Sequence, residues 1–101
     1  MQKKMSDEPV SPDYPASIEA AVRLLQSMVP PAELVKITQM EEDELIRLHR
    51  GLGMAIRNNF GLWKGNKTLL LETGKRDPDD ASGVIITALW RTLRDELPKV
   101  H

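Results

Sequence analysis

Residues 77–97 read DPDDASGVIITALWRTLRDEL and begin with the strongest helix boundary in the chain. Asp77 is a suitable N-cap, Pro78 fits the first helical position, and two carboxylates follow in the first turn, where the helix dipole favours them. The apolar stripe that follows has helical spacing: Ile86, Leu89, Trp90, Leu93 and Leu97. The pattern predicts a helix that is buried on most sides near its start and that Pro98 ends.

The preceding segment, residues 67–73, is short and contains three consecutive leucines. Periodicity alone leaves a strand or a buried helical turn open here. Asn66 and Gly74 bracket the segment as an N-cap and a C-terminal glycine, and no convincing second strand exists to pair with it. We therefore predict a short helix.

The longest predicted helix begins at the capping-box spacing of Thr38 and Glu41 and extends to about Asn59. Its apolar stripe has spacings of three, four, four and four: Leu45, Leu48, Leu52, Ile56 and Phe60. Gly51 and Gly53 lie inside it, and each costs about 1 kcal/mol relative to alanine in a helix interior. We predict that another helix or backbone approaches closely there, with a kink as the alternative.

The first half of the chain adds two helices and a tail. Apolar residues from Ile18 to Val29 follow helical spacing after Ser17, which can act as the N-cap, and Pro31 can open a second, short helix. Residues 1–14 contain prolines and little apolar surface, which predicts a disordered tail. The prediction is an all-α fold: a compact bundle of about five helices, three of them substantial, in one domain at residues 15–98.

Composition excludes several classes of function. The chain has 101 residues, 14 Lys and Arg against 15 Asp and Glu, and no cysteine, which excludes disulfides, thiolate zinc sites and cysteine nucleophiles. A net charge of -1 supplies no global field to recruit nucleic acid or an anionic membrane. The longest uncharged run has ten residues, against about 20 for a membrane span. Because no signal peptide is recognisable, we expect a cytoplasmic protein.

Motifs that would identify an enzyme fail in their details. Residues 61–68 resemble a phosphate-binding loop, but Asn66 stands where the pattern needs glycine. The acidic turn at Asp77 lacks the later acidic positions of a calcium loop. His49 is the single internal histidine, and its spacing is more typical of a packed residue than of a general base or metal ligand. We assign no catalytic residue, metal or cofactor.

Two hypotheses of function remain. The favoured one is a non-catalytic protein-interaction or regulatory module, whose surface around Arg57, Asn58, Trp63 and Asn66 meets a protein partner. The alternative is a small-ligand or hydrolytic site built from His49, Arg57, Asn58, Asp79 and Asp80. An exposed Trp63 favours the first hypothesis, and one cavity containing all five polar side chains favours the second. In either case we predict that Arg57 pairs with Asp79 or Asp80.

Three stretches resemble a small bacterial family of uncharacterised domains: SIEAAVRLL, EDELIRLHRGLGMAIRNNFGLWKGN and DPDDASGVIITALWRTLR. That family typically reads LHxGLGxxIRNxFGLW, then a short leucine segment, then DPDDAS before an apolar helix. The resemblance covers about residues 15–95 and implies no function. It places the candidate residues above on motif positions, together with Gly51, Gly53, Gly61, Asp77 and Ser82, whereas Arg50 departs from the commoner aromatic residue.

Overall fold

The computed structural model describes residues 14–96. The predicted tail at residues 1–14 lies outside this range except for Tyr14, and so does the predicted helix end at Pro98. The ring of Tyr14 packs directly over Gly61, whose φ of +75° and lack of a side chain make room for it. The chain is therefore held against the bundle from its first described residue.

The described residues form five helical segments and no strand, which confirms the predicted all-α class. Helix α1 spans Ile18–Met28 and α2 spans Pro31–Gln39. A composite third helix follows and consists of a 3₁₀ segment, Glu42–Leu48, a π turn, His49–Gly53, and helix α3, Met54–Asn59. Helix α4 spans Lys67–Thr73, and α5 spans Pro78–Glu96.

The composite third helix differs from the continuous α-helix predicted for this region. Thr38 does not cap it, because Thr38 lies within α2 and its hydroxyl donates to the Leu34 carbonyl. The observed capping box is Glu41 with Glu44, whose Oε1 accepts from the Glu41 amide at 2.8 Å. The π turn coincides with the two glycines of the segment, where α-helical propensity is lowest.

Caps at the other helices agree with the sequence prediction. The Ser17 hydroxyl accepts from the Ala20 amide at the start of α1, and Asp77 Oδ1 accepts from the Asp80 amide at the start of α5. The Asn66 side chain caps α4, and Gly74 ends it with a left-handed φ of +76°. The short leucine-rich segment is thus a helix, as predicted.

Helix α5 lies at the centre and contacts every other helix. The core is formed by its buried face and by apolar side chains from all the other segments: Ala21, Val22, Leu25, Ile37, Leu45, Ile56, Phe60, Leu62, Leu69, Ala81, Ile85, Ile86, Leu89 and Leu93. Trp90 is half-buried against this core, and its Nε1 donates to the Met40 carbonyl at 2.8 Å. The arrangement leaves the first turns of α5 facing the π turn, and the polar candidate residues lie there.

Candidate functional site

The π turn and the start of α5 meet around a buried arginine. Arg57 Nη1 donates to Ser82 Oγ at 3.0 Å, and Nη2 donates to the His49 carbonyl at 3.5 Å. Arg57 Nε lies 3.2 Å from Asp79 Oδ1, an ion-pair distance, although its N–H is not aligned for a hydrogen bond. The Arg57 side chain is 9% exposed and that of Asp79 is 65% exposed. The predicted pairing therefore exists with Asp79, through one nitrogen, and not in the bidentate form.

Gly53 makes the room that this arginine occupies. A Cβ at Gly53 would lie 3.0 Å from Arg57 Nη1 and 3.6 Å from Ser82 Oγ. Such a contact is tighter than ordinary van der Waals distance, so a larger residue would displace the guanidinium. The close approach predicted for the two glycines is found at Gly53 alone, and there the nearest group is a side chain of the same composite helix rather than another helix or backbone; a Cβ at Gly51 meets no atom within 4 Å.

Ser82 completes the cluster and is not accessible to solvent. Its residue is fully buried, its hydroxyl donates to the Asp79 carbonyl at 2.8 Å, and its oxygen accepts from Arg57. A nucleophilic hydroxyl needs access to a substrate and a neighbouring base. The Ser82 hydroxyl instead has a structural role, because its hydrogen bonds join the start of α5 to the composite helix.

His49 and Asp80 line a separate cleft of about 380 Å³ beside this cluster. The cleft combines polar and apolar side chains: Leu45, His49, Lys75, Asp80, Val84, Ile86 and Thr87, with Gly83 between them. The His49 ring packs over Gly83, where a Cβ would lie 3.2 Å from Nε2. Of the five residues in the ligand-site hypothesis, the structure brings these two into one cavity and leaves Arg57, Asn58 and Asp79 outside its lining.

Of the three remaining predicted site residues, one is buried and two are exposed. Asn66 is buried, and its Nδ2 donates to the carbonyls of Pro15 and Phe60 at 2.9 and 2.7 Å. These bonds use both hydrogens of the side-chain amide, and its oxygen accepts from the Leu69 amide at the start of α4, so Asn66 fixes the connection between helices. Asn58 is exposed, and Trp63 is 57% exposed on the turn that follows α3.

An apolar groove of about 450 Å³, which the sequence reasoning did not find, lies between α1, α2 and the composite helix. Its lining is mostly apolar: Leu25, Met28, Val29, Pro30, Ile37, Leu48, Gly51, Leu52 and Ala55, with Glu33 and Arg47 as its charged members. Met28 remains 49% exposed there. The one sequence signal for the groove is Met28, an apolar residue beside the α1 stripe. Single exposed apolar residues are common, so this signal alone does not indicate a groove.

Residues 14–96 contain neither a candidate metal site nor a candidate membrane-spanning helix. These residues contain no group of three or more histidine, cysteine or carboxylate side chains arranged to hold a metal ion. Within the same range, no helix has the length and apolar character needed to cross a membrane.

A sequence model of one protein family, described as Domain of unknown function (DUF6794), matches residues 14–93, most of the chain. The chain belongs to this family. Searches of curated proteins and of solved structures found no match. The DUF6794 region contains every residue that lines the groove and the His49 cleft. Because the DUF6794 description assigns no activity, the geometry of these two surfaces is the basis for a functional proposal.

Proposed function

We propose that this DUF6794 domain is a non-catalytic protein-interaction module and that the apolar groove is its contact surface. The observation that carries the proposal is the groove itself: a concave, predominantly apolar surface built by three helices, in which Met28 is half exposed. Burial of apolar surface is the main favourable term in protein association. A surface of this kind gains free energy when a partner covers it.

The charges of the groove favour a protein over a nucleic acid as the partner. Glu33 and Arg47 give its lining one charge of each sign. Nucleic acid binding depends on several cations that neutralise phosphates, and this lining offers a single arginine. A polypeptide can present apolar side chains together with charges of both signs, so its chemistry matches the lining.

The contacts and exposure of the predicted site residues support the same proposal. Arg57 and Asn66 have internal partners and give the fold its connections, while Asn58 and Trp63 are exposed to a partner. Aromatic side chains are enriched among residues that dominate binding energy at interfaces. We therefore include Trp63 as a second contact, separate from the groove, and Trp63→Ala is expected to weaken capture of the partner without unfolding the domain.

Two methionines provide a matched test of the groove. Met28 and Met54 are 49% and 50% exposed, and Met28 lines the groove whereas Met54 does not. A photoreactive benzophenone side chain is placed at either position, and the full chain is irradiated in cells of its native host. We expect one protein to form an adduct from position 28 and not from position 54. The adduct is identified, and the partner segment mapped, by mass spectrometry.

Substitutions then connect the adduct to binding. Met28→Lys should abolish capture of the identified protein, and Met54→Lys should leave it unchanged, because the two changes are equal in chemistry and exposure. Equal adduct yields from both positions, or no adduct from position 28, would contradict the groove as the contact surface. Circular dichroism of each variant checks that the helical fold is retained.

One observation favours a second candidate, small-ligand binding in the His49 cleft. Lys75 and Asp80 supply opposite charges to the lining of one cleft, with Thr87 as a hydroxyl group. This combination fits a small zwitterion, whose carboxylate would face Lys75 and whose ammonium would face Asp80. Titration with a panel of free amino acids, followed through the NMR signals of His49, tests it. Absence of any shift at millimolar concentration would refute this candidate.

The proposal also keeps the bacterial and cytoplasmic setting expected from the sequence. Its support for a bacterial setting is the resemblance of three sequence stretches to a bacterial family. Fractionation of cells of the native host, with detection by an antibody to the domain, measures the location directly.

A further inference from the structure

No atom of the described domain requires position 51 to lack a side chain. A Cβ built at this position meets no atom within 4 Å, and its φ lies outside the left-handed region. Glycine costs about 1 kcal/mol relative to alanine in a helix interior. Gly53, two residues later, has a packing reason in the Arg57 side chain, and Gly51 has none. Any steric reason for Gly51 must therefore come from outside the described domain.

The position of Gly51 shows where such a contact would be made. Gly51 lies in the wall of the groove, on the same lining as Leu48 and Leu52. Side chains at a helix–helix contact set the distance between the two axes, and a missing side chain lets the backbones approach. The groove is thus shaped to admit the backbone of its occupant close to the composite helix at this point.

We propose that the groove receives an α-helix of a partner protein, which crosses the composite helix at Gly51 and carries a small residue at the crossing point. This inference rests on the proposed function and specifies the partner. An extended segment would place its backbone N–H and C=O groups against a mostly apolar lining, where few partners exist for them. A helix satisfies those groups internally and presents an apolar face, the established geometry of helix-in-groove recognition.

The charged rim specifies the polar residues of that helix. Glu33 pairs with Lys36 at 3.5 Å and Arg47 pairs with Glu44 at 3.8 Å, each within its own segment. The four side chains are between 38% and 74% exposed, so these pairs are weak and can exchange partners. The partner helix should carry a basic residue facing Glu33 and an acidic residue facing Arg47, in addition to its apolar stripe.

The test measures the adduct from the benzophenone at position 28 when Gly51 is replaced. Gly51→Leu places a side chain in the groove, and Thr68→Leu places the same side chain at an exposed position outside it. We expect Gly51→Leu to lower the adduct yield about tenfold or more, since overpacking of a fitted contact costs that much binding. Thr68→Leu should leave the yield unchanged. The mapped partner segment, as a synthetic peptide, should gain helicity when the domain is added.

Gly51→Ala keeps the test valid if the leucine variant does not fold. We expect a higher melting temperature than the wild type and a lower adduct yield, a combination that a purely structural glycine cannot produce. A lower melting temperature, an undiminished yield in Gly51→Leu, or a mapped segment that stays extended would overturn this inference and leave the proposed function standing. With Gly51 unchanged, three results at position 28 would overturn both this inference and the proposed function. They are no adduct, an adduct within the same chain, and an adduct between two copies of the chain.

Discussion

Replacing Gly53 by leucine should destabilise the domain, whereas replacing Gly51 by alanine should stabilise it. The two glycines are two residues apart on the same π turn. A Cβ at Gly53 would lie 3.0 Å from Arg57 Nη1 and 3.5 Å from the Leu48 carbonyl oxygen. The same atom at Gly51 meets nothing within 4 Å. The pair therefore separates helix propensity, which is shared, from packing, which differs.

The magnitude follows from three contributions. Either substitution gains up to about 1 kcal/mol of helix propensity. At Gly53 the added atoms push the guanidinium away from Ser82, and a hydrogen bond to a charged group contributes about 1.5–3 kcal/mol. The larger leucine also overpacks a buried position, at about 1–3 kcal/mol. The net expectation is a loss of roughly 2–4 kcal/mol for Gly53→Leu and a gain of about 0.5–1 kcal/mol for Gly51→Ala.

Urea unfolding followed by circular dichroism measures both free energies of unfolding. A third variant isolates the cause: in an Arg57→Met background the guanidinium is absent, so Gly53→Leu should lose most of its penalty. If Gly53→Leu unfolds at a higher urea concentration than the wild type, the packing argument is refuted. If the penalty of Gly53→Leu is the same with and without Arg57, the steric conflict lies elsewhere.

Three further predictions concern residues of the candidate site. In a double-mutant cycle, Arg57 and Asp79 should couple by about 0.2–1 kcal/mol because Asp79 is mostly exposed, while Arg57 and Asp80 should be additive; a coupling found with Asp80 would contradict the observed contact. Asn66→Ala should cost roughly 2–4 kcal/mol in urea unfolding, since it removes a cap and leaves two carbonyls without their donor. Trp63→Ala should change the free energy of unfolding by less than about 0.5 kcal/mol, and a larger loss would show that Trp63 is needed for packing.

Helix boundaries set by local chemistry could be predicted from the sequence. Asp77, Asn66 and Gly74 act through their own neighbours in the chain, so their roles as caps are visible without a structure. The start of the third helix could not be predicted in this way. Thr38 and Glu41 both have side chains suited to capping, and the choice between them depends on where α2 ends, which local spacing does not determine.

The candidate site shows the same division between local and tertiary information. Contact of Arg57 with Asp79 or Asp80 is predicted because a charged group beside a core stripe needs a nearby anion and an acidic turn is the available source. The choice of Asp79 over Asp80 is visible only in the structure.

The groove was beyond such reasoning, since it requires that the end of α1, the start of α2 and one face of the composite helix converge. Each contributes residues that are ordinary in their own segment, and only their convergence makes Gly51 unexplained by the fold. A glycine whose cost has no internal compensation directs attention to what binds there, and stability and adduct yield measured on one Gly51→Ala variant separate the two causes.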